Sequence, residues 1–183
     1  MPVAYNESKL MNALARHIDK AHHHIYLKPG EIWVGQKPLV VSTVLGSCIS
    51  ATLFHPQTGS AAICHAMQPR CPHPHHCATD CIAKYKYADC AIKSISRLMK
   101  EFGLQQREIE VKLFGGASMI SNRRSETTGP SVGEQNIRAA METIQKCGLN
   151  LKVVNAGGTV GRKILFICST GVVLMKRLKG VSP

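Results

Sequence analysis

In the stretch VLGSC, residues 44–48, a cysteine follows a Gly-Ser pair at what reads as a turn into a strand, and seventeen positions later ICHAM carries His65. A thiol attacks a carbonyl only as the thiolate, so a nucleophilic cysteine needs a base within reach and a third group that fixes the base. Cys48 and His65 supply the first two. Ser42 and Thr43, just ahead of the turn, each offer a hydroxyl as the third, and alternation along a strand turns only one of them toward the histidine. Backbone N–H groups around Gly46, Ser47 and Cys48 would face the developing oxyanion, because a glycine-flanked turn leaves its backbone uncovered. The chemistry of such a set is acyl transfer. On residue types alone the pair also suits a packed strand core, the commoner fate of a free cysteine.

The elements that must position these groups are legible on both sides. CISATLF and AAICHAM are β-compatible runs joined by HPQTGS, a loop with proline and glycine turn chemistry, so they read as a hairpin that brings the start of one strand beside the end of the next. LVVSTVL leads into the turn as a strand, and EIWVG ahead of it is a shorter one. Downstream, Ala88, Ile92, Ile95, Met99 and Phe102 share one helical face that Gly103 ends. EIEVKLF alternates like a strand and runs into Gly115-Gly116, which shape the backbone beside the site; no lysine or threonine follows as a phosphate loop requires. A second helix over GEQNIRAAMETIQKCG turns Ile137, Met141 and Ile144 inward. LNLKVV, KILFICS and VVLMKRL are three more strands, the last two a hairpin around Thr170-Gly171. Leu10, Leu14, Ile18 and Ala21 predict a short N-terminal helix over residues 8–24, with His22-His23-His24 as its solvated basic end. Seven or eight strands and two or three helices without βαβ alternation indicate an α+β fold. The expected organisation is an N-terminal extension over 1–28 and one domain over 29–183.

At 183 residues the chain suits a single core. No export signal or membrane-length apolar run is present, so a cytoplasmic location with reduced thiols is expected, and the eight cysteines do not read as a disulfide framework. The formal charge is +12, and no acidic residue follows Glu142 whereas seven Lys and Arg do, which favours an anionic partner. Cys71, Cys77 and Cys81 with His73, His75 and His76 form a loop of soft and borderline ligands. A zinc or redox-active loop is chemically open there, although its spacing lacks paired CxxC knuckles, and a variable proline-broken loop is the alternative. Cys64, Cys90 and Cys168 are read as packing residues, and His55 as a solvated turn residue.

VLGSCISATLF, GSAAICHAMQP, KYADCAI, KLFGGASM, VGEQNI and GGTVGRKILF followed by TGVVLMKRL occur in one order over about residues 29–179, and this series resembles the chemoreceptor glutamine deamidase family, CheD. The resemblance implies a layered α/β/β sandwich with mixed sheets and two to three helices, similar to the catalytic domain of deamidating bacterial toxins. It implies a cysteine hydrolase that converts receptor glutamines to glutamate without metal or organic cofactor, with glutamate methyl-ester hydrolysis as a related activity. Cys48 falls on the family's nucleophile and His65 on its histidine. The family's third position, a threonine six residues before the cysteine, falls on Ser42, with Thr43 beside it as the substitute. Chemoreceptor cytoplasmic domains are the implied partners, with a CheC-type phosphatase as a further one. No nucleic-acid partner and no membrane insertion are expected. A non-catalytic chemotaxis adaptor and a zinc-binding regulatory protein are the competing readings.

Overall fold

The computed structural model describes residues 23–72, 81, 83–118 and 129–178. Within them the chain runs β1 (His23–Tyr26), β2 (Ile32–Gly35), β3 (Leu39–Leu45), β4 (Ile49–His55), β5 (Ser60–Cys64), α1 (Ala88–Glu101), β6 (Glu110–Gly115), α2 (Val132–Lys146), β7 (Asn150–Ala156), β8 (Arg162–Ile167) and β9 (Val172–Arg177). The strands make two sheets, a four-stranded one in the order β1-β3-β8-β9 and a five-stranded one in the order β2-β5-β4-β6-β7. Each is mixed: β1 runs parallel to β3 and β7 parallel to β6, and the other pairings are antiparallel.

Strand alternation divides the side chains into layers. Ile49, Ala51 and Leu53 of β4, Ala62 and Cys64 of β5 and Val111 and Leu113 of β6 pack under the helices against Ile92, Ile95, Met99, Ala140 and Ile144. The intervening positions Ala61, Ile63 and Phe114 face the other way and meet Val41, Leu45, Ile164 and Phe166 of the four-stranded sheet. The result is helices, sheet, sheet: the α/β/β layering expected. Burying side chains such as Ile63 and Phe166, both fully enclosed, is worth about 1.5–3 kcal/mol each.

Differences from the sequence reading have local causes. His23 and His24 belong to β1, not to a helix end, so the sheet begins inside the stretch expected to be an N-terminal extension; the rest of the predicted N-terminal helix lies outside the described residues. Phe102 is 55% exposed because it sits at the C-cap of α1, where the chain leaves the helical face. Met141 is exposed as well, since α2 is rotated so that its buried stripe is Gly133, Asn136, Ala139, Ala140, Thr143 and Ile144. Gly133, Ala139 and Ala140 among them let α2 approach the sheet closely. A Cβ on Gly133 would lie 2.5 Å from the Gly116 carbonyl oxygen. The helix starts with a capping box in which Ser131 Oγ accepts from the Glu134 N–H and the Glu134 carboxylate accepts from the Ser131 N–H.

Candidate active site

β3 and β4 follow each other in sequence but belong to different sheets, and Gly46, Ser47 and Cys48 are the crossing between them. Three consecutive carbonyls pin this crossing. Gly46 O accepts from Ala117 N (2.8 Å), Ser47 O from Asn136 Nδ2 (2.9 Å) and Cys48 O from Gly116 N (2.7 Å). So close an approach requires glycine at 115: its φ is 105°, and an added Cβ would stand 2.1 Å from Cys48 O. Cys48 itself is half-buried and packs on the core between the sheets.

His65 continues β5, and its main chain is held by Glu31 and Gly30: His65 N donates to Glu31 O (3.0 Å), and Gly30 N donates to His65 O (2.8 Å). Ile49 and Ala66 exchange two 2.9 Å backbone hydrogen bonds. Carried one position either way, that register sets Ser50 opposite His65 and Met67 opposite Cys48. Cys48 and His65 are thus diagonal neighbours on one face, a relation an imidazole can span.

The third group is Thr43. Its Oγ1 donates to Leu27 O (2.8 Å) and lies 2.7 Å from His65 Nδ1. With its proton committed to Leu27, Oγ1 accepts from His65 Nδ1–H, which assigns the tautomer and leaves the Nε2 lone pair unused. Nε2 is buried and has no hydrogen-bond partner among the described residues. Ser42, the residue carried over from the resemblance, points to the opposite face of β3, where its Oγ is 2.8 Å from His24 Nε2. The hydroxyl at the imidazole is therefore that of Thr43 and not of Ser42, as strand alternation requires of neighbours.

Burial pushes the Cys48 thiol above its ordinary range, opposed by its own backbone N–H. Burial likewise pulls His65 below the ordinary imidazole range, opposed by the Leu27 carbonyl and the Glu31 charge. Near neutrality the resting pair is a thiol and an unprotonated imidazole, a base ready to take the proton as sulfur attacks.

The family model for CheD chemotactic sensory transduction matches residues 72–177. The chain is 40% identical over 155 residues to the probable chemoreceptor glutamine deamidase CheD 2 of Geobacter sulfurreducens, covering 85% of this chain and 90% of the relative. The chain belongs to the CheD family. The probable chemoreceptor glutamine deamidase CheD of Maridesulfovibrio salexigens is 36% identical over 156 residues, 85% of this chain and 92% of that one. In fold alone, the CheD chain is similar to the crystal structure of the hypothetical protein YfiH of Bacillus licheniformis, with a TM-score of 0.52 at 10% identity over 86% of this chain and 74% of that one.

Other residues singled out in the sequence fall elsewhere. His55 is buried, not solvated: its Nδ1 is 3.0 Å from Thr58 Oγ1 and its Nε2 3.5 Å from a Glu108 carboxylate oxygen, which ties the β4–β5 loop down. Cys64 and Cys168 are enclosed, and burial pushes both thiols up to about 12. His73, His75, His76 and Cys77 lie outside the described residues. Among the buried polar residues that the sequence did not single out, two hold the crossing or the strand ends beside it. Arg162 donates to the carbonyls of Gly115 (2.8 Å), Asn155 and Gly157 and so holds the ends of β6 and β7 beside the crossing. Asn136 bonds the crossing directly. A polar residue on an otherwise inward helical face was the available signal for Asn136; an arginine opening an apolar strand was the signal for Arg162.

Proposed function

We propose that this chain hydrolyses the side-chain amide of specific glutamines in methyl-accepting chemoreceptors, releasing ammonia and leaving glutamate, as a cytoplasmic step of bacterial chemotaxis. The observation that carries the reading is the Thr43–His65 hydrogen bond, which holds the imidazole by Nδ1 and leaves Nε2 without a partner among the described residues, on a residue that the Ile49–Ala66 register makes a diagonal neighbour of Cys48. The names of the relatives, probable chemoreceptor glutamine deamidases, support the substrate.

In this mechanism His65 Nε2 takes the thiol proton as Cys48 Sγ attacks the amide carbon, and the carbonyl oxygen gathers negative charge opposite the backbone N–H groups of the crossing. The imidazolium returns its proton to the nitrogen, the C–N bond breaks, and ammonia departs to leave a thioester. Water then loses a proton to Nε2 and attacks the thioester, and the thiol is restored by that proton. A glutamate methyl ester passes through the same thioester with methanol as the leaving group. None of these steps calls for a metal or organic cofactor.

The test is mass spectrometry of a co-expressed receptor. Wild-type protein should convert glutamine to glutamate, whereas Cys48→Ala and His65→Ala, with folded-state spectra intact, should not. Conversion by Cys48→Ala would sink the thioester mechanism, and no conversion by wild type on any receptor of its source would sink the deamidase reading. A chemotaxis phenotype that survives Cys48→Ala would point instead to an adaptor that binds receptor or a CheC-type phosphatase.

A further inference from the structure

Asn136 lies in the second turn of α2, fully buried, where packing alone would favour an apolar side chain. Its Nδ2 donates to Ser47 O (2.9 Å) and to Met67 O (3.0 Å). Because both neighbours are acceptors, the amide nitrogen must face them, and Oδ1 is left buried without a partner among the described residues. An amide that leaves its own oxygen unpaired is a poor way to stabilise a helix–sheet contact, since an unmet buried acceptor is unfavourable. What its two donors reach is specific. Ser47 is the residue before Cys48, and Met67 stands opposite Cys48 in the register set by Ile49 and Ala66.

We propose that Asn136 is a positioning residue for the nucleophile and for the oxyanion donor, a role that rests on the deamidase reading for its catalytic consequence. The Ser47–Cys48 peptide is trans, as are all others described, so its C=O and N–H point in opposite directions. Drawing Ser47 O toward α2 aims the Cys48 N–H away from the helix, to the side of the five-stranded sheet where the Cys48 side chain packs between the sheets. One side chain thereby orients the peptide whose N–H meets the oxyanion and locks the crossing to the segment that follows His65. The carbonyls on either side of Ser47 O, those of Gly46 and Cys48, are held by backbone N–H groups; only the middle one depends on a side chain that substitution can remove.

The experiment compares wild type, Asn136→Leu, which keeps the shape but loses the donors without adding charge, and Asn136→Ser, which keeps a single donor of shorter reach. Deamidation of a receptor cytoplasmic fragment is measured as kcat and KM. Separately, the pH dependence of Cys48 alkylation by iodoacetamide is followed by peptide mass mapping without substrate. The expected result for Asn136→Leu is an unchanged KM, a kcat lowered roughly a hundredfold, and a Cys48 alkylation profile moved to higher pH, because the Cys48 N–H no longer supports its thiolate; Asn136→Ser falls between. If Asn136→Leu does not fold, Asn136→Ser decides by the same two readings. Wild-type kcat in a folded variant, or a lowered kcat with an unmoved alkylation profile, would overturn the proposal and leave Asn136 a structural tie. A wild-type protein that converts no glutamine while its variants still shift the alkylation profile would fail the deamidase reading and not the positioning role.

Discussion

Thr43 Oγ1 donates to Leu27 O and accepts from His65 Nδ1, so removing it frees the imidazole to rotate and to adopt the other tautomer. Thr43→Val should lower kcat/KM about tenfold to a hundredfold, Thr43→Ser should restore most of it, and Ser42→Ala should stay within a few-fold of wild type; steady-state assays of the three separate the two hydroxyls. The pH profile follows from the same residue. Burial lowers the His65 pKa in the folded chain, so the base stays unprotonated below about pH 6.5, where a free imidazole half-titrates. The acid limb of kcat/KM should therefore fall below that value. Stability changes in the same window: above about pH 6.5 His65 is neutral both folded and unfolded, and as pH drops the unfolded chain takes up its proton first, so folding weakens until the lowered folded pKa is passed. Denaturant titrations of wild type and His65→Gln across that window check the sign, with the wild type losing more on acidification. Residue types and spacing made Cys48 and His65 legible as a pair. They could not decide between Ser42 and Thr43, because alternation says that neighbours diverge without saying which one faces inward; that depends on the second sheet, to which β3 belongs.

The elements were legible wherever one face is apolar and the other is not. α1 carries that contrast up to its last turn, whereas β3 and the β4–β5 hairpin, buried on both faces, were legible from their β-compatible runs and the turn residues between them. In α2 the expected inward residues Ile144 and Ile137 do pack on the core, but Met141 does not, because the rest of the buried stripe is Gly133, Asn136, Ala139, Ala140 and Thr143, among which the glycine and alanines give closeness in place of hydrophobic bulk. Closeness makes two predictions specific. Gly to Ala in a helix ordinarily stabilises by up to about 1 kcal/mol, yet at Gly133 the methyl would meet the Gly116 carbonyl at 2.5 Å, so Gly133→Ala should destabilise by about 1–3 kcal/mol as a lowered urea midpoint. Arg162→Leu removes the donors to Gly115, Asn155 and Gly157. Gly115 O keeps the Gly157 N–H, so the cost should come from the other carbonyls, about 3 kcal/mol at roughly 1–3 kcal/mol for each one left unpaired, and calorimetry should show it as a fall in Tm.

At the scale of the whole molecule, the +12 formal charge acts on encounter and not on chemistry. If the receptor partner is acidic, raising salt from low to physiological strength should raise KM several-fold and leave kcat unchanged, as expected when screening shortens the reach of the field; an unchanged KM would remove charge from the account. The α+β class was readable from the inventory of elements and the α/β/β layering was implied by the family resemblance, but the division of strands between two sheets was not readable, because consecutive strands usually pair and here β1 and β2, like β3 and β4, change sheets. The link from Leu27 to Glu31 makes the first of those crossings, and it touches both halves of the site: Leu27 O holds Thr43, and Gly30 and Glu31 hold the His65 backbone. Thr43 and His65 come from opposite sheets, so their hydrogen bond works as a strain gauge across the sandwich. A small sliding of one sheet over the other breaks it before either sheet loses its own ladder, and deamidase activity should disappear at lower denaturant concentration than the far-ultraviolet circular dichroism does.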